Sequence, residues 1–136
     1  MFLVDTNVIS EARKGDKVNN GVRKFLRDAD QTALYISAQT VGEIRRGVEN
    51  IRHRGDVSQA RLIDAWLTEV LEQFTDRILN FDLDCAQVWG TLMSPNPQHP
   101  IDKQIAAIAL INNMTVVTRN VADFANTGAR LHNPFS

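Results

Sequence analysis

The chain has 136 residues, 43% of them hydrophobic and 23% charged, a balance that fits one folded domain of ordinary size and excludes a disordered or low-complexity chain. Its formal net charge is -1, so the protein as a whole exerts no pull on nucleic acid, and any such contact depends on where the charges sit. The single cysteine, Cys85, excludes an internal disulfide and a zinc site built on several thiolates. No apolar run reaches the roughly 18 residues of a membrane span, and Asp5 interrupts the N-terminus too early for a signal-peptide core, so a cytoplasmic setting is expected.

Met1-Phe2-Leu3-Val4-Asp5 is a short apolar run ended by an acid, and Thr6-Asn7-Val8-Ile9-Ser10-Glu11 then starts a helix. After the polar break Lys14-Gly15-Asp16-Lys17, a helix is expected around Val22 to Ala29, followed by a second strand, Ala33 to Ile36, that ends at Ser37. Ser37 is a suitable N-cap for a helix in which Val41, Ile44, Val48 and Ile51 form the apolar stripe and Glu43 turns away from it, toward solvent or a cleft. Asp56 and Gln59 suit a capping box for a long amphipathic helix whose buried face is Leu62, Ile63, Trp66, Leu67, Val70, Leu71 and Phe74. Arg77 to Phe81 reads as a strand and Leu83 to Met93 as a helix.

Ser94 to Pro100 holds three of the four prolines and is a loop, which places Asp102 in the first turn of the next helix. The run Ile105 to Ile111 has no polar face, so that helix is expected in the interior. Thr115 to Thr118 is a β-branched strand, Asn120 to Phe124 a short helical turn, and Arg130 to His132 a last edge strand. Alternating strands and helices predict an α/β fold, a central parallel sheet with helices on both faces.

In such a sheet, ligands bind outside the carboxyl ends of the strands. Asp5 and Thr118 fall there, with Asn120 and Asp123 just beyond Thr118; Glu43 and Asp102 come from helices that start on the same side. A set of carboxylates without Cys or His support suits a hard cation such as magnesium or manganese, which relieves the repulsion among the acids. Each acid also has a purely structural use. Asp102 serves equally as a helix-end acid, Glu43 as an exposed partner of Arg46, and Asp123 as a turn residue, whereas an acid at the end of a buried strand, as Asp5 is, needs a donor, a metal or a function. His53, His99 and His132 stand in no ligand spacing and are read as surface or structural residues; Trp66 and Trp89 lie on helical stripes. Charges are uneven: five arginines lie between Arg45 and Arg61, and seven acids between Leu62 and Asp102, which suggests two faces of opposite sign.

Four ordered segments together resemble the PIN-domain ribonucleases, in particular the VapC-like toxins of bacterial toxin-antitoxin pairs and their FitB-like branch. They are Phe2-Leu3-Val4-Asp5-Thr6-Asn7-Val8-Ile9-Ser10, Ser37 to Val48, Asp102-Lys103-Gln104-Ile105-Ala106-Ala107, and Thr118-Arg119-Asn120-Val121-Ala122-Asp123-Phe124; the tail Leu131 to Phe135 is similar to the FitB-like branch. The resemblance implies one PIN domain over residues 1–136 that hydrolyses RNA phosphodiesters, in transfer or ribosomal RNA, with Mg2+ or Mn2+. It implies that Asp5, Glu43 and Asp102 are the principal acids of the site, with Asp5 and Asp102 holding metal, and that the fourth group is Asp123 or Asn120. Thr6, Asn7, Thr118 and Asn120 would orient the carboxylates, and Arg45, Arg46 and Arg119 would bind RNA phosphates. It further implies a homodimer neutralised by a VapB/FitA-like antitoxin, with promoter DNA reached only through that antitoxin.

Three other readings compete. A haloacid-dehalogenase-like phosphatase expects Asp-x-Asp where this chain has Asp5-Thr6-Asn7, and a receiver-like module expects an acidic pair there and a lysine near the last strand. A PIN-fold binding subunit without catalysis, acting in a protein or promoter-DNA complex, is opposed by the presence of all three principal acids.

Overall fold

Residues 1–136 are all described in the computed structural model. The apolar runs form five short strands: β1 (Phe2–Val4), β2 (Leu34–Ser37), β3 (Ile78–Leu79), β4 (Thr115–Val117) and β5 (Arg130–His132). All pair in parallel, in the order β3-β2-β1-β4-β5, and β1 aligns Leu3 with Tyr35 on one side and with Val116 on the other. The helices between them are α1 (Thr6–Ala12), α2 (Asn20–Asp28), α3 (Ala38–His53), α4 (Val57–Gln73), α5 (Leu83–Met93) and α6 (Pro100–Ile111); 3-10 turns lie at Gly15–Lys17, Gln31–Ala33 and Val121–Phe124.

Side chains alternate across a strand, so each strand feeds two cores. Val4, Leu34, Ile36 and Val117 pack beneath α1 to α4 with Val8, Ile44, Leu67 and Phe74. Leu3 and Val116 face the other way, onto Cys85 of α5, the Ile105 to Ala109 run of α6, and Phe124. The expected three-layer α/β arrangement with helices on both faces is therefore present.

Caps stop and start the helices where the side chains indicate. Ser37 Oγ accepts from Thr40 N at 3.1 Å, and Asp56 Oδ1 accepts from Gln59 N at 3.1 Å. Three expectations need correction. The strand expected over Arg77 to Phe81 shrinks to Ile78–Leu79 because β3 is an edge that pairs only with the end of β2. Leu62 is 67% exposed rather than on the buried face of α4, since Ile63, Leu67 and Val70 already fill the stripe against α3 and the sheet. The α6 run is interior only from Ile105 to Ala109; Leu110 and Ile111 emerge beyond the sheet and are partly exposed. No helix is long and apolar enough to cross a membrane.

Chain order also fixes where a site can form. From β1 the chain moves outward to β2 and β3, then crosses back to β4 and on to β5. The direction reverses between β1 and β4, and the carboxyl ends of those strands carry Asp5 and Thr118.

Candidate active site

Asp5 leaves β1 at its carboxyl end and at once caps α1. Its Oδ1 accepts from Thr6 N at 2.8 Å, and its main-chain N–H donates to Val117 O at 2.9 Å. Asp5 is 3% exposed, so each carboxylate oxygen needs a partner. Oδ2 has two: Thr118 Oγ1 donates at 2.8 Å and Asn7 Nδ2 at 3.2 Å. Asn7 also accepts from Arg119 N through Oδ1 at 3.0 Å, which ties the loop after β4 to the start of α1. Burial holds the Asp5 carboxyl above the ordinary aspartate range, while Thr118, Thr6 and Asn7 pull it back down.

Glu43 stands on α3, turned away from the Ile44 and Val48 stripe as its position predicts. Thr6 Oγ1 donates to Glu43 Oε1 at 2.7 Å, and the Thr6 and Thr40 hydroxyls lie 3.0 Å apart, with Ser37 Oγ 3.3 Å further on. Partial burial raises the Glu43 carboxyl and the Asp5 charge raises it further, against the lowering effects of the Thr6 hydrogen bond and of Arg46.

Asp102 lies in the first turn of α6, after His99 as N-cap and Pro100. It makes no hydrogen bond through its side chain, so it is not the helix cap. Desolvation and the charges of Asp5, Asp123 and Glu43 push its carboxyl up to about 6. Three acids therefore act on Asp102 at once, and the opposing effect of His99 does not offset them. Asp123, on the 3-10 turn after β4, is the fourth acid of the group; Asn120 instead uses its main-chain N–H, which donates to Thr118 Oγ1 at 3.0 Å, and its side chain makes no hydrogen bond.

His99, expected as a surface or structural residue, is exposed and lies beside two of these acids. Its Nε2 is 3.5 Å from Asp123 Oδ1, and single ligand atoms of His99, Asp102 and Asp123 all lie within 4.8 Å of one another. The only signal in the sequence was its place directly before Pro100, which starts α6; in the structure it adopts the left-handed conformation (φ 56°) that a non-glycine residue seldom adopts. Sequence spacing among histidines carried no trace of this, because its partners are two aspartates on different elements.

The arginines separate into different environments. Arg45 does not face the acids as an unpaired cation: it bonds Glu49 at 3.3 Å and Asp64 of α4 at 3.0 Å, and Arg52 joins the same two acids. Two arginines of the basic stretch, Arg45 and Arg52, are thus paired with Glu49 of α3 and Asp64 of α4, while Arg46, Arg54 and Arg61 form no ion pair. Arg46 is exposed, makes no ion pair and acts on Glu43. Arg119 follows Thr118 directly, and its guanidinium lies 4.8 Å from the centre of the Phe135 ring.

Fold and site define a class: a doubly wound parallel α/β protein whose acidic cluster straddles the reversal point of its sheet, with oxygen donors, and one imidazole, suited to a divalent cation. The family model described as PIN domain matches residues 2–129, and the chain belongs to that family. Three curated relatives are each 32% identical over 142 residues, covering 99% of this chain and 98–99% of their own: plasmid stability protein StbB of Pseudomonas syringae pv. tomato, VapC ribonuclease Y4jK of Sinorhizobium fredii and toxin FitB of Neisseria gonorrhoeae. The crystal structure of FitAcB from Neisseria gonorrhoeae superposes with a TM-score of 0.87 at 31% identity, over 98% of both chains.

Proposed function

We propose that residues 1–136 form one PIN domain acting as the toxin of a toxin-antitoxin pair, an endoribonuclease that hydrolyses phosphodiesters of transfer or ribosomal RNA with Mg2+, or with Mn2+. The observation that carries the reading is the convergence of Asp5, Glu43, Asp102 and Asp123 on one strand-end site, with the Asp102 carboxyl raised to about 6 by its burial and by the other three. Such a set is electrostatically unfavourable alone and becomes favourable around a cation.

Asp5, Asp102 and Asp123 would hold the ion, with His99 as a nitrogen donor beside them. When bound, a divalent cation supplies Lewis acidity, neutralising the scissile phosphate and making water a better nucleophile. The chain's own residues do the positioning. Thr118 and Asn7 fix one oxygen of Asp5 and Thr6 N–H holds the other, so this carboxylate cannot rotate away. Thr6 and Thr40 aim Glu43, whose raised affinity for a proton suits it to accept one from water. Arg46 and Arg119 would hold flanking phosphates, whereas Arg45 stays with Glu49 and Asp64.

The same reading assigns a homodimer and a VapB/FitA-like antitoxin that neutralises the acidic site, with promoter DNA engaged only through the antitoxin. Purified protein is incubated with a mixed pool of transfer and structured RNA in Mg2+, Mn2+ or chelator, alongside Asp5→Asn. Cutting that needs the metal and disappears in the variant is expected. Folded protein that binds Mn2+ and leaves every RNA intact would instead support the binding-subunit reading.

A further inference from the structure

A polar cavity opens off the acidic centre, and we propose that it holds a phosphate of the RNA strand next to the one cleaved, with Lys103 as its cation. The inference rests on the nuclease reading above and extends it to a subsite. His99 and Asp123 belong both to the acidic cluster and to the wall of this cavity, which encloses about 450 Å³. Asn96, Gln98 and Asn126 contribute amides to the remaining wall, and only Leu92 and Ala122 are apolar.

Lys103 makes this cavity more than a polar dent. It follows Asp102 on α6 and is only 7% exposed, yet its ammonium meets no carboxylate: its one hydrogen bond goes to the main-chain oxygen of Asn96. An ammonium carries three donors, so two remain for the cavity that the side chain lines. Lysines buried to this degree normally have an acidic partner, and here the only recorded partner is a carbonyl. Those two donors favour an anion, and favour it on the Lys103 side of the cavity, since the Asp123 carboxylate in the same wall repels one. A lone small anion would leave most of 450 Å³ empty, whereas a nucleotide unit fills it and offers ribose and base groups to the three amides. A strand with one phosphate at the carboxylates reaches the cavity without a break, because the two share a wall.

Lys103 also anchors the loop at Asn96, so its substitution alone would not separate recognition from structure. Asn126→Asp does: the residue is exposed, makes no side-chain hydrogen bond and keeps its size, and the change adds only a like charge to the phosphate inside the cavity. Full-length protein in chelator, where cleavage is silent, is titrated with a 5′-phosphorylated RNA trinucleotide and separately with inorganic phosphate, followed by nitrogen–proton NMR. The trinucleotide is expected to shift the side-chain amides of Asn96, Gln98 and Asn126 in the unaltered protein. Its Kd should rise about tenfold or more in both Asn126→Asp and Lys103→Met, and the salt slope should fall by about 0.7 in the latter. Unchanged binding by Asn126→Asp, or shifts confined to other surfaces, would overturn the subsite. Inorganic phosphate binding as tightly as the trinucleotide would make this a free-anion site and overturn the strand assignment. The nuclease reading fails separately: trinucleotide bound here by a protein that cuts no RNA with Mg2+ or Mn2+ refutes the activity, and with it the placement beside a cleaved phosphate, and leaves the cavity as an RNA-phosphate site.

Discussion

Replacing Asp102 by Asn should stabilise the metal-free protein at neutral pH, a result opposite to that of most substitutions at a structured, half-buried position. The Asp102 carboxyl is raised to about 6 by burial and by Asp5, Asp123 and Glu43, against about 3.9 for a free aspartate. Two units correspond to about 3 kcal/mol if fully realised. Solvent reaching this half-open site screens roughly half of it, and the lost attraction of an acid for the first turn of α6 removes about 0.5 kcal/mol more. A net gain of about 1 kcal/mol for Asp102→Asn at pH 7.5 follows. The sign with pH is fixed: because the folded value lies above the unfolded one, ionised Asp102 destabilises the native state fully above pH 6, and the penalty vanishes below about pH 4. Urea unfolding in chelator at pH 4, 5, 6 and 7.5 should therefore show the variant's advantage growing across that window. Saturating Mn2+ should reverse the order, since ligand at a hundredfold its Kd adds about 2.7 kcal/mol to a protein that binds it. A variant less stable than its parent in chelator at pH 7.5, or a difference that ignores pH, would refute the claim that the acids repel one another across this site.

Three more outcomes are expected. Thr118→Val removes the buried donor to Asp5 Oδ2; it should cost about 1.5–3 kcal/mol of stability and weaken Mn2+ binding by calorimetry about tenfold or more. Ser37→Ala removes the buried cap of α3 and one end of the hydroxyl chain behind Glu43, and should lower stability in denaturant titrations by about 1 kcal/mol. His99→Ala should weaken Mn2+ binding more than Mg2+ binding, because an imidazole favours the softer ion, and the nitrogen modulation in the electron spin-echo spectrum of bound Mn2+ should disappear with it.

Much of this was legible because it depends on local pattern. Apolar runs ended by Asp5 and Ser37, the cap residues Ser37 and Asp56, and the fully apolar stretch after Asp102 each carry their geometry in a window of a few residues. The positions of Asp5 and Thr118 at strand ends then put both at the reversal point of a parallel sheet. What stayed hidden is set by contacts between distant segments. His99 looked idle until the loop before α6 folded against the turn after β4. Arg45 looked free until Asp64, nineteen residues along, crossed onto it from α4. Leu62 matched the α4 stripe by period, but a stripe says which side is apolar, not how far the neighbouring helix extends to cover it.

The central strand of the sheet has a consequence for when the protein becomes competent. β1 is sandwiched between β2 and β4, and the hydrogen bond from Thr118 to Asp5 spans 113 positions. At about 5–20 residues per second of synthesis, a ribosome needs roughly 6–23 s between making the first carboxylate and the hydroxyl that orients it. Throughout that interval one edge of β1 lacks its partner and the catalytic constellation does not exist. A growing chain thus lacks its assembled acidic site until nearly all of it has emerged.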